Sequence, residues 1–222
     1  MAPIPPEPPA NGFPVRRRRV LLDGRALHYY QVEDPGALAD AVDPRTFEAD
    51  ERFPYWAELW PSAVALAGFL LRRGVRPGTR VVELGCGLGL AGVAAAMAGA
   101  RVLFTDFEPD ALAFARANHA LNLRRPGRTR LVDWRTPPPD LCAPLVLASD
   151  VLYERRFLQP FVATLARVVA PGGVAYVAEP GRDVAAGTVE GLEARGFARE
   201  LHLEEIAWAG RSHSVWIHEL RR

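Results

Sequence analysis

Lysine is missing from this chain of 222 residues, so all 27 basic side chains are arginine; against 26 acidic ones they leave a formal net charge of +1. Such a balance provides no whole-molecule basic field, and no nucleic-acid partner is expected. Cysteine is nearly as scarce, with only Cys86 and Cys142. Two isolated cysteines form neither a disulfide framework nor a metal site, so no metal is expected and a reducing compartment fits. The longest apolar stretch, Leu88 to Ala100, contains glycines and is too short to span a bilayer, so no membrane partner is expected. The N-terminus lacks the charged, then apolar, order of a secretory signal, and a cytoplasmic protein is the expectation. What remains is ordinary for a globular chain. The 49% hydrophobic content can bury the core of one domain.

The stretch Arg80 to Gly92, RVVELGCGLGLAG, carries the strongest local signal. Val81 and Val82 open an apolar run that reads as a buried strand. Gly85, Gly87 and Gly89 follow at alternate positions, and Leu90 to Ala98 reads as a helix. A strand, a glycine turn and a helix allow a backbone to approach a ligand closely, where side chains would block it. Two ligands compete. Gly87, Gly89 and Gly92 spell the dinucleotide string G-x-G-x-x-G, with Asp106 near the distance of a ribose-binding acid. Glu83 with Gly85, Gly87 and Gly89 spells E-x-G-x-G-x-G instead. A pyrophosphate disfavours a nearby carboxylate, whereas a sulfonium and an ammonium tolerate or prefer one. Glu83 therefore favours S-adenosylmethionine (SAM) over NAD.

Around this unit the chain divides into three parts: a proline-rich tail over 1–14 expected to be disordered, a hairpin and loop extension over 15–52, and a main domain over 53–222. Asp23-Gly24 between Val20–Leu22 and Ala26–Tyr30 is a hairpin signal, and Gln31 to Arg52 reads as an acidic loop. Helices are expected from about Pro61 to Arg73, Pro109 to Asn122, Phe157 to Val169 and Asp183 to Arg195. Strands are expected at Arg101–Thr105, Arg128–Val132, Leu145–Ala148 and Val174–Ala178, with Pro171-Gly172-Gly173 a turn. Phe197–Ile206 and Ser214–Leu220 close the chain as two strands around Ala209-Gly210. Alternating strands and helices imply an α/β fold of Rossmann-like type: a mostly parallel central sheet, helices on both faces and an antiparallel last strand.

Ligands of such sheets bind outside the carboxyl ends of the strands. Those ends carry Gly85–Gly89, with Cys86 between glycines, then Asp106-Phe107, Asp133-Trp134 and Ser149-Asp150. Asp106 can accept both ribose hydroxyls, or it can cap the helix that begins near Pro109. Phe107 and Trp134 can wall an adenine, and Asp133 can accept its exocyclic amine; packing in the core is the competing role for both rings. Asp150 can hold an amine or the cofactor's ammonium, while Tyr153 supplies an aromatic wall. None of the five histidines has metal-ligand spacing, and for each a structural role is expected.

Trp56-Ala-Glu-Leu-Trp60-Pro-Ser, the E-x-G-x-G-x-G loop, Thr105-Asp106, Asp133-Trp134 and Asp150-Val-Leu-Tyr153 together resemble the class I SAM-dependent methyltransferases, and within them the methyltransferase-like protein-lysine methyltransferases. The resemblance covers about Phe53 to Gly181. It implies that Glu83, Gly85, Gly87, Asp106, Trp134 and Ser149 contact SAM, with Trp56 and Trp60 bordering the cofactor or the substrate channel. It also implies that Asp150 and Tyr153 face the acceptor, a lysine of a protein partner attacking the methyl carbon in line with the sulfonium. Desolvation and the neighbouring sulfonium lower the amine's pKa, so no dedicated base is required. A metabolite amine as acceptor, an NAD-dependent oxidoreductase and a non-catalytic interaction module are the alternatives.

Overall fold

The structure is a computed structural model that describes residues 7–9, 12–42 and 53–222. The hairpin comes first, β1 (Val15–Leu22) with β2 (Arg25–Val32), turned by Asp23 and Gly24 at φ 51° and 73°. A short helix α1 (Pro35–Asp40) follows. The main sheet runs in the order β5-β4-β3-β6-β7-β9-β8, comprising β3 (Arg80–Leu84), β4 (Arg101–Asp106), β5 (Arg128–Leu131), β6 (Ala143–Ser149), β7 (Val169–Glu179), β8 (Ala198–Trp208) and β9 (Arg211–Arg221). The first five strands of that order are parallel; β9 inserts antiparallel between β7 and β8. Helices α2 (Pro61–Arg73), α3 (Leu90–Met97), α4 (Pro109–Leu123) and α5 (Arg155–Val168) connect the strands. This is the expected Rossmann-like sheet with its antiparallel end.

Burial explains the pattern. Val81, Val82 and Leu84 of β3 are buried on the two faces of the sheet, so the strand reads as apolar on both sides, broken only by Glu83. α3 is apolar all round because it is buried all round. Pro61 and Pro109 occupy first turns, where their missing N–H costs nothing.

The hairpin is attached to the domain through two asparagines one helical turn apart on α4. Asn118 Oδ1 accepts the Tyr30 N–H at 2.6 Å and its Nδ2 donates to Tyr30 O; Asn122 does the same for His28, at 3.0 Å and 2.8 Å. Two side-chain amides thus complete the open edge of β2 as a neighbouring strand would. Asn118 Nδ2 also donates to Leu88 O at 2.9 Å, which ties the hairpin to the glycine loop.

Several expectations need correction. Gln31 and Val32 belong to β2, and Pro35–Asp40 is helical because Asp34 Oδ1 caps the Ala37 N–H. Residues 1–6, 10–11 and 43–52, which fall in the expected tail and loop, lie outside the described residues. Within the expected tail, Phe13 packs against the core. Asp183 to Arg195 is not one α-helix but two 3-10 turns, Asp183–Ala185 and Glu190–Arg195, separated where Ala186 is extended and Gly187 sits at φ 76°. Pro171-Gly172-Gly173 lies inside β7, at an irregularity where Ala143 pairs with Val169 but Leu145 with Val174. Among the described residues, no helix is long and apolar enough to cross a membrane.

Candidate functional site

Outside the carboxyl ends of the parallel strands lies a cleft enclosing about 1000 Å³, its open mouth included. Every residue expected to contact SAM or the acceptor lines it except Glu83: Trp56, Trp60, Gly85, Cys86, Gly87, Gly89, Asp106, Phe107, Asp133, Trp134, Ser149, Asp150 and Tyr153. None of the five histidines does.

The floor is the glycine loop. Gly85, Gly87 and Gly89 all have positive φ (63°, 49° and 76°), a conformation costly to other residues. Gly85 must also be bare for space, since a Cβ would fall 2.8 Å from Val151 Cγ1 and 3.1 Å from Trp134 Cζ2. Gly89 and Gly92 serve packing: a Cβ on either would strike α4 or Phe104 beneath the loop. Gly92, a member of the dinucleotide string, is therefore bare for the sake of Glu83 of β3 and Phe104 of β4 rather than a ligand. Cys86 is buried, and burial together with nearby Asp106 pushes its thiol pKa well up, which leaves an inert packing residue.

Glu83 differs from its expected role. Its side chain is 1% exposed and turned beneath the loop, where Oε2 accepts the Gly92 N–H at 3.1 Å. Burial pushes its pKa up to about 8, so at neutral pH it is mostly protonated. It braces the first turn of α3 and does not present a charge to the cleft. Six other acids line the cleft instead: Glu58, Asp106, Glu108, Asp133, Asp150 and Glu154.

Most of these carboxylates are already engaged. Asp106 Oδ2 accepts the Gly87 N–H at 2.9 Å, while Oδ1 accepts those of Phe107 and Glu108 at 2.8 Å and 3.0 Å. Both roles expected of it, helix cap and ligand acceptor, are compatible with this geometry. Three of about four lone-pair positions are taken, leaving room for one hydroxyl while the Gly87 bond is kept. Burial raises its pKa, and the three N–H donors oppose that rise. Asp133 is held by Arg135, whose Nε lies 2.9 Å and 3.0 Å from the two oxygens. Glu154 pairs with Arg156 at 2.6 Å. Asp150, in a left-handed conformation at φ 56°, accepts the Ser62 N–H at the start of α2 at 3.1 Å and pairs with Arg182 at 2.5 Å.

One wall is aromatic. Trp134 meets Phe157 edge-on at 6.3 Å and Phe161 at 5.2 Å, and Phe107 meets Phe157 at 6.1 Å. Phe107, Trp134 and Phe157 line the cleft on the side of Asp106, with the Arg135 guanidinium over the rings of Phe107 and Phe157 at 5.7 Å and 6.0 Å. Sequence reasoning missed Phe157, because on a helix it looks like any core residue.

The mouth is aromatic too. Phe53, Tyr55 and Tyr153 are 40%, 37% and 38% exposed, and Tyr55 contacts Phe53 at 4.7 Å and Tyr153 at 4.9 Å. Burial and nearby Glu154 raise the Tyr153 pKa, keeping its phenol neutral. Trp60 Nε1 donates to Tyr55 O at 2.8 Å, fixing its ring beside this group. Trp56 instead turns its ring inward onto Phe114 at 5.3 Å, so its contribution to the cleft is largely backbone. The density of aromatics in Phe53–Trp60 was visible in the sequence, but not which rings turn outward.

A family model described as lysine methyltransferase matches residues 47–187. The electron transfer flavoprotein beta subunit lysine methyltransferase of Xenopus laevis is 35% identical over 135 residues, 58% of this chain and 53% of that one. The histone-arginine methyltransferase METTL23 of Mus musculus is 26% identical over 172 residues, 72% of this chain and 66% of that one. The matches thus span less than two thirds of the length of these relatives. The magnesium protoporphyrin IX methyltransferase of Synechocystis, solved with bound SAM, superposes with a TM-score of 0.57 at 17% identity, covering 86% of this chain and 98% of that one. That likeness shows a shared fold.

Proposed function

We propose that this chain, which belongs to the lysine methyltransferase family, is a SAM-dependent methyltransferase whose acceptor is a lysine side chain of another protein. The observation that carries the proposal is the mouth of the cleft, where aromatic rings and acidic side chains line the space above the glycine loop. Relatives such as the Xenopus enzyme are named for protein lysines, which supports the same acceptor class here.

The cofactor supplies a methyl group already activated by a sulfonium. The chain's own residues then have three tasks. The bare backbone at Gly85 and Gly87 and the remaining acceptor position of Asp106 would hold the nucleoside, with Phe107, Trp134 and Phe157 available to wall its base. Asp150 acts as a positioning residue, since one of its oxygens accepts the Ser62 N–H and the other holds Arg182. It joins the end of β6 to the start of α2, and so fixes Trp60 and Tyr153 relative to the loop. The aromatic mouth strips water from the incoming amine, which favours its neutral, nucleophilic form. Orientation of this kind can be worth up to about 7–11 kcal/mol without a dedicated base. We assign residues 53–222 to the transfer domain and the hairpin to an extension clamped on α4.

Incubation with deuterated SAM and a cell lysate, followed by mass spectrometry of the digest, tests the acceptor. Because this chain contains no lysine, every labelled lysine must come from another protein. Deuteromethyl-lysine at defined sites is the expected result; label confined to small molecules would assign a metabolite amine instead.

A further inference from the structure

Glu58 stands apart among the acids of the cleft. It follows the 3-10 turn Tyr55–Ala57, is exposed, and lines the mouth together with Tyr55, Trp60 and Tyr153. Asp106, Asp133, Asp150 and Glu154 are committed to backbone donors or arginines, and Glu108 is not free either. Among the described residues, no ion pair or side-chain hydrogen bond involves Glu58. A carboxylate left available among aromatic rings is what a cation entering from solvent would meet first.

We propose, resting on the methyltransferase function above, that Glu58 is the specificity-determining residue for the acceptor, selecting an alkylammonium over a guanidinium. A lysine ammonium is a compact charge with three donors, one of which passes as a proton to solvent water at the mouth before transfer. One carboxylate and surrounding ring faces satisfy such a group. A guanidinium has five donors in a rigid fork and does not lose its proton beforehand. Glu58 can take two of those donors; a ring face would take the guanidinium plane but leave its three other in-plane N–H groups without acceptors.

The test uses the full chain saturated with S-adenosylhomocysteine, whose binding is first measured by calorimetry. n-Butylammonium and n-butylguanidinium, mimics of the two side chains, are then titrated and followed by saturation-transfer NMR. The wild-type protein is expected to bind n-butylammonium more tightly than n-butylguanidinium. Glu58→Gln is expected to weaken n-butylammonium about fivefold, the scale of one partly exposed ion pair, while S-adenosylhomocysteine affinity stays within about twofold. Equal n-butylammonium binding by the variant, a preference for the guanidinium, or no amine binding by a protein that holds S-adenosylhomocysteine would each overturn the assignment of Glu58. Failure to bind S-adenosylhomocysteine at all is a different result: it would overturn the function on which the inference rests, and the inference with it.

Discussion

Replacing Glu83 by glutamine should change how stability depends on pH more than how the protein looks. The glutamine amide oxygen can still accept the Gly92 N–H, but the buried group can no longer ionise. In the wild-type protein the folded-state pKa is about 8 against an ordinary 4.5. Between those values the folded chain holds a proton that the unfolded chain has released, so stability falls as pH rises. The stability is fully present below about pH 4.5 and is lost by about pH 8. At 1.36 kcal/mol per unit, the full loss is on the order of 5 kcal/mol. Other groups also titrate, among them His119, whose pKa burial lowers. They are common to both proteins and cancel in the difference. Urea unfolding of wild type and Glu83→Gln at intervals from pH 5 to pH 9 measures that difference. The variant should gain steadily on the wild type across the series, by several kcal/mol in all. A difference that stays constant with pH would refute the assignment of Glu83 as a buried, protonated brace.

Gly92→Ala would put a Cβ against Glu83 Oε2 and 2.5 Å from Phe104 Cε1, so a stability loss of about 1–3 kcal/mol is expected in thermal or urea unfolding. Asp106→Asn should raise the calorimetric Kd for S-adenosylhomocysteine at least tenfold. It should also lower the melting temperature, because an amide cannot accept all three N–H groups that the carboxylate accepts. Asn118→Leu leaves Tyr30 N–H, Tyr30 O and Leu88 O without their partner; a loss of about 2–4 kcal/mol is expected, with faster amide exchange at Tyr30 than at the sheet core. Asp150→Ala should lower stability and activity together, by freeing Arg182 and uncapping α2. Activity lost with no change in stability would mean instead that Asp150 acts directly on the acceptor.

Much of the architecture is legible because it rests on local signals. The apolar run of β3, the glycines after it and the prolines at Pro61 and Pro109 each impose a local geometry whatever surrounds them. The last two strands were legible as a pair because Ala209 and Gly210, at φ 50° and 77°, form a tight turn. The segment from Asp183 to Arg195 misled because its composition suits a helix, and the break at Ala186–Gly187 depends on packing rather than propensity. Asp34-Pro35 was a readable helix start that the acidic character of its surroundings obscured.

The site divides along the same line. A strand end projects its next residues toward the carboxyl edge of the sheet, so chain order alone brought Gly85–Gly89, Asp106, Asp133-Trp134 and Ser149–Tyr153 to one cleft. Direction and partnership were beyond it. Whether Glu83 faces a ligand or the underside of its own loop, whether Trp56 or Tyr55 turns outward, and which carboxylates are already occupied all depend on residues distant in the chain. Periodicity and motif spacing describe neighbours along the backbone. Burial, pKa and the freedom of a charged group arise from neighbours in space, and only the folded chain supplies those.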